Sequence, residues 1–225
     1  MMPPLERLLD ALGHHFATPR YLEEALSHRS IGSHNNERLE FLGDAVLSMV
    51  ITAELYRRFT HVDEGQLSRM RAALVKGDNL AAMARDLHLG DYLRLGPGEL
   101  KSGGFRRDSI LADSFEAVIG AIYLDAGIVV CEAFIQRHFA DQLEAMNPLQ
   151  AGKDPKTRLQ ELLQSRHQPL PRYEVVATDG DAHRQVFQIS CEVAMLAEAV
   201  TASSNSRRKA EQIAAAKALE LIQHG

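Results

Sequence analysis

The stretch NERLEFLGDAVL, residues 36–47, decides the fold. Its apolar and charged residues recur at helical spacing, and the pattern continues to about Phe59, which predicts a long helix from Glu37. At 100° per residue, Glu37, Glu40 and Asp44 fall within an arc of about 60° on that helix. Three carboxylates on one stripe repel each other unless positive charge sits among them. Phe41 and Leu47 flank the stripe, and Leu39, Leu42, Val46, Met49 and Val50 cover the other sides. A helix apolar nearly all round is expected to be buried, and buried carboxylates need partners, of which a cation is an adequate one. The alternative is a solvated acidic face; the apolar surroundings favour a metal site over it.

A second segment, SILADSFEAVIGAIYLD (109–125), carries the complement. Asp113 and Glu116 are three apart and share a helix face. Ala117 and Gly120 lie near that face and permit close approach of a neighbouring helix. Two helices that bring five carboxylates between apolar surfaces can hold hard divalent cations. All-oxygen ligands favour Mg²⁺ or Mn²⁺ over zinc, and such a centre suits phosphoryl-transfer chemistry. Glu64, in HVDEGQLSR, is either a sixth acid of the site or a first-turn acid favoured by the helix dipole. His28, in ALSHRS, is expected to be a buried, hydrogen-bonded residue rather than a ligand. GxSxG, P-loop and GxGxxG patterns are absent from the sequence.

Outward from these segments, residues 1–146 read as all-α. Thr18-Pro19 opens a short helix to about Ser27, Asp63 caps one through Val75, and Asp78 caps another through Leu87. GPGELKSGGFRR (96–107) reads as a loop. A helix runs over about 108–125 with Gly127 marking its end, and a last one covers about 129–145. Residues 147–153 read as a linker, and residues 154–224 follow a different pattern. KTRLQELLQSR (156–166) is an amphipathic helix. Tyr173–Thr178, Arg184–Glu192 and about Met195–Thr201 read as strands, the first two joined by a tight turn at Asp179-Gly180-Asp181. Asn205 or Ser206 then caps a helix to about Ile222. The expected fold is an all-α domain followed by an α+β, α-β-β-β-α domain.

Charge divides along the same line. The chain has 225 residues and a formal net charge of −5. Residues 1–150 carry 15 Lys/Arg against 21 Asp/Glu, and residues 151–225 carry 10 against 9. That excludes a uniformly basic nucleic-acid coat but not a metal-using site within the acidic half. Cys131 and Cys191 form no CxxC pair, which disfavours zinc-ribbon and disulfide scaffolds. No apolar run is expected to reach the roughly 20 residues of a membrane span, the N-terminus lacks the order of a secretory signal, and a cytoplasmic setting is expected.

The second half faces a phosphate backbone. Arg207, Arg208 and Lys209 sit at the start of the last helix, where free N–H groups and the dipole already attract anions. Gln160 and Gln164 share a face of the first helix, and His183 lies at the tight turn. Long polar side chains and a turn-tip donor reach 2′-hydroxyls across a minor groove, the way A-form duplexes are recognised by shape.

Taken together, ALSHRS (25–30), NERLEFLGDAVL (36–47), VDEGQLSRMRAALV (62–75) and GGFRRDSILADSFEAVIGAIYLD (103–125) resemble, in order and spacing, the nuclease blocks of bacterial ribonuclease III. KTRLQELLQ (156–164) and SRRKAEQIAAAKAL (206–219) resemble the helical hallmarks of a double-stranded-RNA-binding domain. The resemblance implies a Mg²⁺-dependent endoribonuclease for double-stranded RNA, Mn²⁺ being a possible substitute. It places metal at Glu40, Asp44, Asp113 and Glu116, and two further acids, Glu37 and Glu64, in the catalytic valley. It assigns RNA contacts to Gln160, Gln164, His183, Arg207, Arg208 and Lys209, and the dimer interface to Phe41. It implies a homodimer, products with 5′-phosphate, 3′-hydroxyl and short 3′ overhangs, and a role in processing ribosomal RNA precursors and structured messages. One departure stands out: Thr201–Asn205, before the last helix, lacks the family's usual glycines. A non-catalytic duplex-RNA binder is the rival, and a binder gains nothing from a repulsive cluster of acids.

Overall fold

The computed structural model describes residues 3–148, 154–179 and 185–224, which form two compact units, Met1–Gly152 and Lys153–Gly225. The first is helical: α1 (Leu5–Leu12), α2 (Pro19–Ala25), α3 (Glu37–Arg58), α4 (Glu64–Leu74), α5 (Gly77–Asp86), α6 (Pro97–Lys101) and α7 (Asp108–Glu144). α7 is the axis of the unit, and α3, α5 and α2 pack on it. Its Ile110, Leu111, Phe115, Val118, Ile119 and Ile122 are buried, as are Leu39, Val46, Leu47, Val50 and Ile51 of α3.

Local signals explain most boundaries. Asp63 accepts a hydrogen bond from the Gln66 backbone N–H at 2.8 Å and so caps α4. Asn35 rather than Asn36 supplies the side-chain cap of α3, its Oδ1 accepting from the Glu37 N–H at 3.0 Å. Gly127, with φ 77° and ψ −178°, breaks α7 into two helical runs, a backbone conformation that glycine adopts without a Cβ penalty. Just before this break, Asp125 accepts from the backbone N–H groups of Ala17 (2.9 Å) and Thr18 (2.8 Å), and its Oδ2 lies 2.9 Å from His14 Nε2. The carboxylate thereby fixes the chain's entry into α2.

Several sequence expectations need correction. Residues 96–107 are not all loop: Pro97 at the first helical position starts α6, and Gly104–Arg106 form a 3₁₀ turn. Asp78 lies inside the first turn of α5, with Lys76 at the N-cap. The N-terminal α1 has only eight residues, too short for its apolar stripe to stand out in the sequence. α3 is not buried all round: Phe41 is 80% exposed and Met49 and Tyr56 are also exposed, while Leu47 is fully buried. α7 does contain an 18-residue window of mean hydropathy 2.0, long and apolar enough by length and composition to cross a membrane. Here Ile110, Leu111, Phe115, Val118, Ile119 and Ile122 line the core of the helical unit while Leu124, Ile128, Val129 and Val130 are exposed, and the first half of the helix carries Asp113 and Glu116.

The second unit runs α8 (Pro155–Ser165), β1 (Arg172–Asp179), β2 (Val186–Glu192), β3 (Val200–Ser204) and α9 (Arg207–His224). The strands form one antiparallel sheet in the order β1-β2-β3, with a register shift between Val175 and Ala177. Leu159 and Leu163 of α8, Ile189 and Cys191 of β2, Ala202 of β3 and Ala214, Ala215 and Ala218 of α9 are buried in this unit. Asp154 caps α8 by accepting from the Thr157 N–H at 3.0 Å. The third strand is displaced from its expected place: residues 194–198 form a turn and bend, and the strand begins at Val200. Met195-Leu196-Ala197 looks apolar enough for a strand, yet only Val200 and Ala202 have the period-two spacing that turns two side chains to the core. Thr201–Ser204, expected as a glycine-poor loop, is therefore strand. Of the expected tight turn, Asp179 is the last residue of β1, while Gly180, Asp181 and the expected start of the second strand at Arg184 lie outside the described residues.

Candidate active site and RNA-binding surface

The crossing of α3 and α7 creates the candidate catalytic centre. A Cβ on Gly43 would lie 2.6 Å from the Glu116 carbonyl carbon and 3.0 Å from the Gly120 nitrogen. One on Gly120 would lie 3.1 Å from the Leu39 carbonyl carbon. Carbon atoms pack at about 3.5–4.0 Å, so the backbones meet only because neither position carries a side chain. This close approach sets Glu40, one turn before Gly43, opposite Glu116, one turn before Gly120, with Asp113 one turn earlier on α7.

Ligand atoms of Glu40, Asp113 and Glu116 all lie within 4.8 Å of one another, and all three residues are partly buried. Burial and the charges of Asp44, Glu40 and Asp113 push the Glu116 carboxyl up to about 8. Burial raises Asp113 as well, against the opposing charges of His28 and Arg29. Glu40 is raised by burial and by Asp113, Glu37 and Asp44, with Arg29 acting in the other direction. At neutral pH the group thus retains a proton on Glu116 unless a cation replaces it.

The donor set fits a hard divalent cation. The oxygens within 4.8 Å of one another would be close enough to share one hard cation, directly or through water. Asp44 is exposed one turn beyond Glu40; it lies outside the three-residue group, and its charge acts on Glu116. Glu37 is exposed, with its Oε1 3.6 Å from Arg29 Nη1. Glu64 stands apart on α4, where it accepts from Ser68 Oγ at 2.7 Å and borders a cavity of about 420 Å³ with Tyr56 and Arg71.

His28 is 9% exposed, and its Nδ1 lies 2.8 Å from Ser30 Oγ and accepts from the Ser30 N–H at 3.2 Å. Ser30 Oγ also accepts from the Gly96 N–H at 2.8 Å, and the His28 N–H donates to the Arg94 carbonyl at 3.0 Å. These bonds fasten the loop that brings His28 and Arg29 beside the acids. Arg29 was missed from the sequence. Its signal was present in ALSHRS, but only the tertiary contact with α3 gives it meaning.

In the second unit, Gln160 and Gln164 are exposed four residues apart on α8, away from Leu159 and Leu163. Arg207, Arg208 and Lys209 are exposed in the first turn of α9. His183 lies outside the described residues.

Comparison with known proteins accounts for both units. The Ribonuclease-III-like family profile matches residues 19–143, and the double-stranded RNA binding motif matches residues 155–222. Proteins named Ribonuclease 3 from Vibrio vulnificus and Vibrio cholerae are each 54% identical over 225 residues, covering all of this chain and all of theirs. The chain belongs to the ribonuclease III family. A crystal structure of the ribonuclease III nuclease domain from Campylobacter jejuni is 40% identical, with a TM-score of 0.61, over 65% of this chain and 100% of that one. A second Campylobacter jejuni structure, described for flexibility in a region involved in dimer formation, is 42% identical with a TM-score of 0.60, over 61% of this chain and 97% of that one. As a ribonuclease III, the protein is a metal-dependent endoribonuclease for double-stranded RNA. The acid cluster lies within the residues matched to the nuclease family, and the basic first turn of α9 within those matched to the RNA-binding motif.

Proposed function

We propose that Glu40, Asp44, Asp113 and Glu116 hold Mg²⁺, with Mn²⁺ as a substitute, and that cleavage of duplex RNA takes place there. The observation that carries this is the group Glu40–Asp113–Glu116 within 4.8 Å, with Glu116 raised to about 8 by burial and its neighbours' charges. Divalent cations bound to such a group supply Lewis acidity and activate water for attack on phosphorus. The chain itself supplies the fixed crossing of α3 and α7, which sets the carboxylates' spacing, and exposed acids at Glu37 and Glu64 that border the approach of the RNA. Arg29, held beside Glu37, is placed to meet the phosphate backbone. The products carry 5′-phosphate and 3′-hydroxyl ends with short 3′ overhangs.

The same proposal divides the chain into a nuclease domain (1–146), a linker (147–153) and an RNA-binding domain (154–224). Gln160, Gln164 and His183 contact the minor groove, and Arg207, Arg208 and Lys209 contact phosphates. A tethered second domain raises the effective concentration of duplex at the nuclease centre. The exposed Phe41 and Met49 on α3 support a homodimer, since large apolar side chains on one helix face favour burial against a second copy. The substrates are ribosomal RNA precursors and structured messages, processed in the cytoplasm.

Glu116→Ala tests the catalytic assignment. The variant is expected to bind duplex RNA nearly as well as wild type and to lose Mg²⁺-dependent cleavage. Equal cleavage by the two proteins would remove Glu116 from the site.

A further inference from the structure

The basic first turn of α9 is followed, one turn on, by an acid whose position is unusual for an RNA-binding edge. Glu211 lies one turn beyond Arg207, and its side chain is only 12% exposed. Its Oε1 accepts from Arg207 Nε at 3.0 Å, and its Oε2 accepts from Lys156 Nζ at 2.6 Å. Lys156 belongs to the other helix, α8, and its ammonium also lies 4.4 Å from the Tyr173 ring centroid. The next residue completes the link: Gln212 Oε1 accepts from the Lys156 backbone N–H at 3.1 Å. Burial opposes ionisation of Glu211, but the bonds from Lys156 and Arg207 hold its carboxyl below the usual carboxylate range. It is therefore an anion at neutral pH.

We propose that Glu211 is a positioning residue for RNA binding, which locks Arg207 on α9 and Lys156 on α8 into one preset cationic edge for the phosphates of a duplex. The proposal rests on the assignment of Arg207 and Arg208 to phosphate. The geometry of the arginine supports it. Glu211 engages Nε, which leaves both terminal nitrogens of a 62%-exposed guanidinium for a phosphate. A long arginine that must be ordered on binding loses rotamer freedom at that moment; one already held has lost it on folding. Lys156, at 33% exposure and braced by Glu211 and Tyr173, is preset in the same way.

Charge and geometry predict opposite results, which makes the test sharp. If Glu211 were only a negative charge near phosphates, Glu211→Gln would tighten binding and steepen its salt dependence. If it positions the two cations, Glu211→Gln weakens binding although it removes a repulsive charge. The assay is fluorescence anisotropy of the full chain with a labelled RNA duplex longer than the footprint of one such domain, about 16 base pairs. It is run without divalent metal across a salt series. The expected result is roughly fivefold weaker binding, the scale of a partly exposed charge pair, with a salt slope shallower by about one. Unchanged or tighter binding overturns the proposal.

A purely structural role is separated by a double-mutant cycle. In an Arg207→Ala background, Glu211→Gln is expected to cost clearly less than in wild type, and full additivity overturns the proposal. If Glu211→Gln lowers the melting temperature, Glu211→Asp answers the same question. It keeps the charge and shortens the arm, so it should weaken binding, and wild-type affinity would overturn the proposal. An Arg207→Ala/Arg208→Ala control that binds like wild type overturns the phosphate assignment and this proposal with it. A weakened control beside an unweakened Glu211→Gln overturns this proposal alone.

Discussion

Replacing Gly43 by alanine tests whether the helix crossing sets the active site. The added Cβ would stand 2.6 Å from the Glu116 carbonyl carbon, and the atoms it meets are backbone atoms of α7 that have no rotamer to change. Restoring an ordinary carbon–carbon separation of about 3.5–4.0 Å requires α3 to recede from α7 by roughly 1 Å. Overpacking of this kind costs about 1–3 kcal/mol. For a unit of this size, 2 kcal/mol lowers the melting temperature by roughly 4–8 °C. The chemical effect is larger. The same displacement separates Glu40 from Asp113 and Glu116, and a misplacement of about 1 Å in a catalytic constellation costs on the order of a hundredfold in rate. Gly98→Ala is the control: Gly98 is exposed in α6, and an added Cβ there meets nothing within 4 Å. The assays are thermal unfolding by circular dichroism and Mg²⁺-dependent cleavage of a long labelled duplex. A Gly43→Ala protein that melts within a degree of wild type and cleaves at the wild-type rate would refute the reasoning.

Two further outcomes follow from the charges. In the metal-free protein, folded Glu116 keeps its proton until about pH 8, whereas the unfolded chain gives it up near 4.5. The folded state binds more protons between these values, so the stabilisation is complete below pH 4.5 and is lost as pH rises through 8. In EDTA the melting temperature of wild type should therefore fall relative to Glu116→Gln between pH 5 and 8, and excess Mg²⁺ should remove the fall; parallel pH profiles for the two proteins would contradict it. For the second unit, Arg207→Ala combined with Arg208→Ala should weaken binding to duplexes of any sequence and flatten the salt dependence. An unchanged slope would show that these side chains do not reach phosphate.

How far the sequence was legible follows from the range of the forces involved. The carboxylate stripe of α3 and the Asp113/Glu116 pair of α7 could be read because helical spacing is local, and both helices lie where expected. The glycine at 127 could be read because its backbone conformation is a property of one residue. The third strand could not, because the apolar Met195-Leu196-Ala197 competes with the true strand at 200–204, and the choice depends on pairing with β2. The exposed face of α3 was hidden for a similar reason. Met49 looks like a core residue until the packing leaves it outside, and Phe41, which the resemblance assigns to a dimer interface, is left outside with it. Arg29 and Glu211 acquire roles only through contacts between segments, Arg29 with Glu37 of α3 and Glu211 with Lys156 of α8.

The central claim is that a divalent cation takes the place of a proton on the Glu40–Asp113–Glu116 group. Its most direct test is calorimetric titration of Mg²⁺ into metal-free protein at pH 7 in two buffers of different ionisation enthalpy. Because Glu116 is raised to about 8, wild type should release on the order of one proton per centre as Mg²⁺ binds. Glu116→Gln should bind Mg²⁺ more weakly and release far less. Equal affinity and equal proton release in the two proteins would contradict the account.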